Sequence, residues 1–321
     1  MAGDFIHVAA AAIINDKGEV LVSQRKQGAH LGGYWEFPGG KLEQGETLQA
    51  ALSRELKEEL DIQPLSSRPL IRTRHRYPEK SVLLDVWKVE SYRGQARGVE
   101  GQNIAWRGVS ELDPMDFPPA DTPIISALSL PERYLITGEF SGAADFEQRL
   151  STALRNGIGL VQLRLTDQWT KEQTTAGLQE IVDLCVKLCR HYNAQLMFNL
   201  PVKYRSMQQN GVHLSSRQLL SYSNRPDFTV VSASCHNRQE LEHAQSIGAD
   251  FAVLSPVQPT RSHPGAVPLG WEVFRELVDE CDIPVYALGG MTADDMTQAW
   301  QSGAQGIAAI GAFWDCTGAN P

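Results

Sequence analysis

Residues 40–62 read GKLEQGETLQAALSRELKEELDI, and their spacing decides what the first part of the chain becomes. Leu48, Ala51, Leu52 and Leu56 recur at helical intervals, so Thr47 to Leu60 is predicted to form a helix with an apolar stripe turned toward a core. On that helix Glu55, Glu58 and Glu59 stand at i, i+3 and i+4, which sets three carboxylates on one face. Like charges so placed repel one another, and a hard divalent cation such as Mg²⁺ turns that repulsion into attraction. An acidic face bathed in water explains many Glu-rich helices. Here Gly40, Glu46 and Arg54 stand at fixed offsets from the acidic trio, and that fuller pattern argues for chemistry. Gly39 and Gly40 allow close backbone approach ahead of the helix, and Gly45 allows a sharp turn into it.

Around this segment Phe5 to Ile14 and Val20 to Gln24 read as strands joined by the turn Asn15-Asp16-Lys17-Gly18. Further strands are expected at Val82–Val89 and around Trp106, and Ile124 to Leu130 should begin a helix after the proline-rich run 116–123. A second rhythm starts near Arg133. Short β-like runs (Tyr134–Thr137, Leu160–Leu165, Gln195–Asn199, Gly211–Leu214, Thr229–Ala233, Phe251–Leu254, Val285–Leu288, Gly306–Ile310) alternate with helical patterns at Leu178–His191, Arg238–Ile247, Gly270–Glu280 and Ala293–Ser302. Such alternation implies parallel strands with crossover helices, and eight runs suggest a closed (β/α)₈ barrel with trimmed helices or loops. The boundary is expected at Leu128–Glu132, which divides the chain into domains 1–128 and 133–321.

Composition narrows the function classes. The 321 residues carry 29 Lys+Arg against 38 Asp+Glu, a net charge of −9, which argues against a protein that coats duplex nucleic acid. The longest apolar run, Val8 to Ile14, is too short to cross a bilayer, so no membrane partner is expected. The start Met1-Ala2-Gly3-Asp4 lacks the features of a signal peptide. The five cysteines form no CxxC pair, so a disulfide framework or zinc site is not expected and a reducing cytoplasm is the expected setting.

The pattern over residues 40–62 resembles the Nudix box of diphosphate hydrolases, with Asp61 where that family carries glycine. Arg25, His30, Glu36-Phe37-Pro38-Gly39-Gly40-Lys41, Glu100-Gly101-Gln102 and Phe117-Pro118-Pro119-Ala120 extend the resemblance to the MutT-type branch over residues 4–128. The resemblance implies an α/β/α sandwich on a mixed sheet. It further implies Mg²⁺-dependent (Mn²⁺ being possible) cleavage of oxidised purine nucleoside triphosphates, notably 8-oxo-dGTP, to the monophosphate and pyrophosphate. By position it implies that Glu55, Glu58 and Glu59 bind the metal with the Gly39 backbone, and that Glu100 is a further ligand or general base. Arg54 and Glu46 would hold helix and loop. Arg25, His30, Phe37 and Asp121 are the substrate-binding candidates. Asp121 stands where the branch carries Asn; an ionised Asp only accepts hydrogen bonds, whereas a protonated one mimics Asn.

Residues 133–318 resemble the thiamine phosphate synthase and TenI group of small (β/α)₈ barrels. The carriers include Val161-Gln162-Leu163-Arg164, Gly211-Val212-His213-Leu214, Ser255-Pro256-Val257-Gln258-Pro259-Thr260-Arg261-Ser262 and Leu288-Gly289-Gly290. Charged positions of the synthase pattern are replaced: a lysine by Thr166, a metal-binding Asp by Leu200, a second by Gln218, and a further lysine by His263. Metal-dependent synthase activity is therefore not expected. The resemblance still implies a polar pocket for a thiazole or pyrimidine phosphate, with Gln162, Arg164, Asn199, Ser234, His236, Thr260, Ser262, Gly290 and Gly311 as candidates. His236 is the candidate proton carrier. The alternative reading keeps Nudix chemistry on thiamine precursors or thiamine diphosphate analogues, with the barrel as thiazole tautomerase or thiamine-phosphate-binding module.

Overall fold

The computed structural model describes residues 5–28, 30–165, 167–172, 174–201, 211–260 and 265–315. The chain forms two compact units, Met1–Ser129 and Leu130–Pro321. The first contains β1 (Phe5–Ile13), β2 (Glu19–Gln24), β3 (Trp35–Glu36), β4 (Gly39–Lys41), α1 (Leu48–Leu60), β5 (Gln63–Arg76), β6 (Ser81–Arg93), β7 (Ile104–Gly108) and α2 (Thr122–Ser129). A mixed sheet runs β4-β1-β6-β5, in which only β1 and β6 are parallel, and an antiparallel sheet runs β3-β2-β7.

The apolar run of β1 is explained by its two buried faces. Ala9, Ala11 and Ile13 pack with Ala51, Leu52, Leu56 and Leu60 of α1. Ala10 and Ala12 face the opposite core, which holds Val20, Val22, Ile124 and Ile125 of the α2 side. A strand alternating between two cores has no polar face to show, and the result is a helix–sheet–helix sandwich. Helix α1 starts at Leu48 because Thr47 is its N-cap, with Oγ1 accepting from the Ala50 N–H at 3.3 Å. It ends at Asp61, which takes a left-handed conformation (φ 57°, ψ 32°), a position Asp tolerates better than most residues.

Strand β5 is a finding of the structure that periodicity does not announce. Its residues are mostly polar and include Pro64 and Pro69, both next to shifts in its register with β6. An edge strand accommodates proline at such irregularities, and its pairing comes from the neighbour. Strand β6 likewise extends beyond the expected Val82–Val89. The helix α2 begins at Thr122, two residues earlier than expected, directly after a 3₁₀ turn at Pro119–Asp121.

The second unit is a closed barrel of eight parallel strands: β8 (Arg133–Ile136), β9 (Leu160–Arg164), β10 (Gln195–Asn199), β11 (Gly211–Leu214), β12 (Val230–Cys235), β13 (Phe251–Leu254), β14 (Val285–Leu288) and β15 (Gly306–Ala309). Each expected run supplies one strand. The helices are α3 (Ala143–Arg155), α4 (Asp167–Glu172), α5 (Thr175–His191), α6 (Ser216–Leu219), α7 (Arg238–Ser246), α8 (Gly270–Val278), α9 (Met296–Gln301) and α10 (Gly311–Trp314). Four-residue α6 and α10 account for how a barrel fits into this short length. Helix α3 carries an apolar stripe (Phe146, Leu150, Ala153, Leu154) that the sequence reading passes over. Inward side chains, among them Tyr134, Leu160, Met197, Phe251 and Tyr286, fill the barrel, and the alternate positions pack outward against the helices. Among the described residues no helix is long and apolar enough to cross a membrane.

Candidate active site

Arg54 organises the acidic flank of α1. Its Nε and Nη2 donate to the two oxygens of Glu46 at 3.0 and 2.9 Å, and Nη2 also donates to the Lys41 carbonyl at 3.1 Å. Its Nη1 donates to Glu55 at 2.8 Å and to Glu58 at 3.4 Å. One guanidinium thus ties the preceding loop and β4 to two of the three carboxylates. The Arg54 bond, helped by the Glu43 N–H, holds the Glu46 carboxyl below its ordinary range. Gly40 leaves space for this arrangement, since a Cβ at that position would lie 2.1 Å from Glu55 Oε1 and the carboxylate would have to move aside.

Glu59 turns inward. Its Oε2 accepts from the Gly39 N–H at 3.1 Å, and its own carbonyl accepts from Gln102 Nε2 at 3.0 Å. Gln102 also receives the Glu100 N–H at 3.0 Å, so it links the Glu100 loop to the end of α1. Burial, added to the charges of Glu36, Glu55 and Glu100, pushes the Glu59 carboxyl up to about 8, although the Gly39 N–H works the other way. The Glu100 side chain is half exposed and pairs with Lys26 at 3.1 Å.

Among the described residues no three acidic, histidine or cysteine side chains are grouped closely enough to hold a metal ion. Arg54, the Gly39 amide and Lys26 hold the four carboxylates apart. The donor set nevertheless suits a divalent cation: its oxygens are hard, and burial, with the charges of Glu36, Glu55 and Glu100 added, leaves Glu59 holding a proton near neutral pH that a cation would displace. The residues able to turn toward such an ion are Glu55, Glu58, Glu59 and Glu100.

A second polar group lies beside β3. Arg25 Nε pairs with Glu36 at 3.1 Å, and burial raises the Glu36 carboxyl against the opposing charges of Arg25 and Lys80. Asp121 is only 7 % exposed. Burial and the charge of Glu36 push it up to about 8, with Arg25 pulling the other way. Tyr77 joins this group through the Ala120 backbone and the charges of Asp121 and Arg25, and His30 meets its ring edge-on at 5.4 Å. Phe37, next to Glu36, is buried in the core with its ring stacked on Phe117 at 5.7 Å, so that face is taken by protein.

Inside the barrel, inward positions of five strands are joined by hydrogen bonds. Asn199 Nδ2 donates to Gln162 Oε1 at 3.4 Å, and Gln162 Nε2 donates to the Tyr134 hydroxyl at 3.0 Å. That hydroxyl lies 3.4 Å from His213 Nδ1, whose ring bonds Ser232 and Ser234, each at 2.8 Å. Burial, then the charge of Arg164, pushes His213 down to about 3, so its ring is neutral, one nitrogen donating and the other accepting. Tyr134, His213 and Ser232 join the site without being among the residues expected there; the signal in the sequence is the period-two alternation that turns them inward with Gln162 and Ser234.

The remaining described candidates, Arg164, His236, Thr260, Gly290 and Gly311, follow or end different strands of the barrel. Arg164 closes β9, its N–H bonded to Thr137 Oγ1 at 2.9 Å. His236 Nδ1 donates to the Ser255 carbonyl at 2.8 Å, which fixes the tautomer and leaves Nε2 as the acceptor. Gly290 (φ 70°) seats the loop after β14 against the loop that carries Thr260, since a Cβ there would lie 2.6 Å from the Pro259 carbonyl oxygen. Gly311 opens α10. Leu200 is buried in the core, and Gln218 caps α6 by accepting from the Ser215 N–H at 2.9 Å. Ser262, Thr166 and His263 lie outside the described residues.

The sandwich with its carboxylate-bearing helix and the closed parallel barrel define a two-part α/β protein whose first part is built as a hydrolase of diphosphate linkages. The chain belongs to two families, matching the one described as NUDIX domain over residues 9–127 and the one described as thiamine monophosphate synthase over residues 133–313. It is 37 % identical over 123 residues to the 8-oxo-dGTP diphosphatase of Escherichia coli (strain K12), covering 38 % of this chain and 95 % of that protein. It is 33 % identical over 117 residues to the CTP pyrophosphohydrolase of the same organism, covering 36 % and 87 %. Over 190 residues it is 33 % identical to the "Putative thiamine-phosphate synthase 2" of Aquifex aeolicus (strain VF5), covering 58 % and 99 %. Nudix hydrolases generally use divalent metal ions, in keeping with the donor chemistry of the α1 flank.

The Asp121 environment generates a stability prediction. In an unfolded chain an Asp releases its proton near pH 4, whereas in the folded protein Asp121 holds it to about 8. Between those values the folded state binds more protons, so this group's contribution is fully present at low pH and is lost as pH rises toward 8. Asp121→Asn is expected to match the parent's melting temperature near pH 4 and to exceed it increasingly up to pH 9. A difference independent of pH would show that Asp121 ionises normally.

Proposed function

We propose that the sandwich hydrolyses an oxidised purine nucleoside triphosphate, 8-oxo-dGTP being the favoured substrate, to the monophosphate and pyrophosphate. The observation that carries this reading is the set Glu55, Glu58 and Glu59 on one flank of α1, with Glu36, Glu55 and Glu100 acting on a half-buried Glu59. Divalent ions, Mg²⁺ foremost, would neutralise phosphate oxygens and supply an activated water. Around them Arg54 keeps Glu55 and Glu58 aligned through its anchorage on Glu46 and the Lys41 carbonyl. Cations bound among its acidic neighbours would lower the Glu59 pKa, so that it gives up its proton to solvent and, as a carboxylate, can take one from the attacking water. A protonated Asp121 both donates and accepts, so it presents an amide-like edge to a purine, with Arg25 and His30 beside it.

We further read the barrel as a binding module for a thiazole or pyrimidine phosphate rather than a metal-dependent synthase. The support is chemical: Leu200 and Gln218 offer no carboxylate, while Gln162, Asn199, His213 and Ser234 line a neutral polar interior. The presence of this barrel in the same chain favours one second reading, hydrolysis of thiamine diphosphate analogues by the sandwich.

Steady-state kcat/KM of the intact protein, with and without Mg²⁺, should favour 8-oxo-dGTP over dGTP, CTP and thiamine diphosphate analogues by more than about tenfold, roughly 1.4 kcal/mol. A smaller margin removes the first reading, and preference for the thiamine analogues installs the second. Glu58→Gln should lower turnover at least roughly a hundredfold through lost charge stabilisation of the metal-bound diphosphate. Calorimetric titration of the intact protein with thiazole phosphate should give binding tighter than millimolar that Arg164→Gln weakens. Absence of heat at millimolar ligand would leave the barrel a structural part.

A further inference from the structure

The outer flank of α1, turned away from Glu59, borders a cleft of about 1000 Å³. Its charged lining is Arg54, Lys57, Arg93, Arg97 and a single carboxylate, Asp61. Arg54 is already paired with the carboxylates of the other flank, and in a chain with net charge −9 the remaining three cations against one acid are a local reversal of sign. The cleft is built rather than incidental. The Arg97 N–H donates to the Leu60 carbonyl at 3.1 Å, so the loop after β6 is stitched to the end of α1. Gly94 makes that closure possible, with φ 108° and a site at which a Cβ would lie 2.7 Å from the Asp61 carbonyl oxygen.

Arg54 is committed to Glu46, Glu55 and Glu58, but the other three cations are not used up by their neighbours. Lys57 and Arg97 share the one Asp61 carboxylate, Arg97 at 2.8 Å, and their hydrogen bonds and charges hold that carboxyl below its ordinary range. Among the described residues Arg93 forms no ion pair, and it stands exposed at the end of β6. Hydrogen-bond donors with surplus positive charge, facing a cleft of small-molecule size, are what a phosphate group requires. A long polyanion is disfavoured by the acidic remainder of the molecule.

We propose that this cleft is a second anion site, distinct from the acidic flank, that takes a small phosphate-bearing molecule between Arg93, Arg97 and Lys57. It stands apart from the hydrolase reading, because it needs neither a metal nor any of the acidic groups on the other flank.

Pyrophosphate titrated calorimetrically into the intact protein in EDTA tests it. Binding is expected at millimolar or tighter Kd, weakening as salt rises. Arg93→Gln/Arg97→Gln should weaken it at least about tenfold, whereas Arg93→Lys/Arg97→Lys should stay within about threefold, since the charge is kept. Both arginines are exposed, and equal melting temperatures will show that the variants are folded. Parallel titrations with inorganic phosphate and dGMP distinguish the source: equal affinity supports a site for the phosphate group, and tighter dGMP supports a nucleotide site. No binding, or binding unchanged in the glutamine variant, would overturn the proposal, the latter because the anion then sits elsewhere.

Discussion

Three carboxylates within a turn and a half of one helix repel one another, and a guanidinium answers two of them. Arg54 bonds Glu46 with two nitrogens, reaches the Lys41 carbonyl, and still donates to Glu55 and Glu58. Its planar fork makes this possible where a lysine ammonium would serve as a point charge. Much of the first unit depends on that arrangement. The loop before α1, the short strand β4 and the helix are joined by that one side chain, and Gly40 leaves room for the Glu55 carboxylate beside it.

Glu59 stands outside this compensation. It meets a backbone N–H instead of a cation, and its neighbours are acids. The same helix therefore presents two carboxylates that share a guanidinium with Glu46 and one that, among the described residues, has no cation beside it. Burial and like charge leave Glu59 and Asp121 both near 8, on separate elements of one unit. In each case the cost of an enclosed negative charge is met by retaining a proton, and a cation or a ligand donor brought to the same place changes the balance.

The barrel handles buried polarity differently. Its interior joins amide, phenol, imidazole and hydroxyl groups from five strands, and the His213 ring stays neutral because burial and Arg164 oppose its charging. Neutral groups that satisfy one another can be enclosed at little cost, whereas a carboxylate there would need a metal or an arginine. Leu200 and Gln218 fit this picture. One lies in the hydrophobic core and the other is part of a helix cap, so each has a structural role.

Much of this was legible in the order of residues alone. The eight barrel strands follow from short β-branched and apolar runs alternating with helical stripes. The acidic flank of α1 follows from the 3.6-residue period, and Asp61 at the left-handed cap from the tolerance of Asp for that conformation. These are local properties, set by backbone geometry and by which side chains must leave water. Strand β5 was not legible, because an edge strand rich in arginine and interrupted by proline has no pattern of its own and is defined by its pairing with β6. Nor was the placement of Phe37 in the core against Phe117, or the network through Tyr134 and His213, or the cationic cleft beside Gly94. Each depends on which distant segments the fold brings within a few ångströms, and so on tertiary packing: burial, close approach and the charges of neighbours far away in sequence decide what a side chain can do.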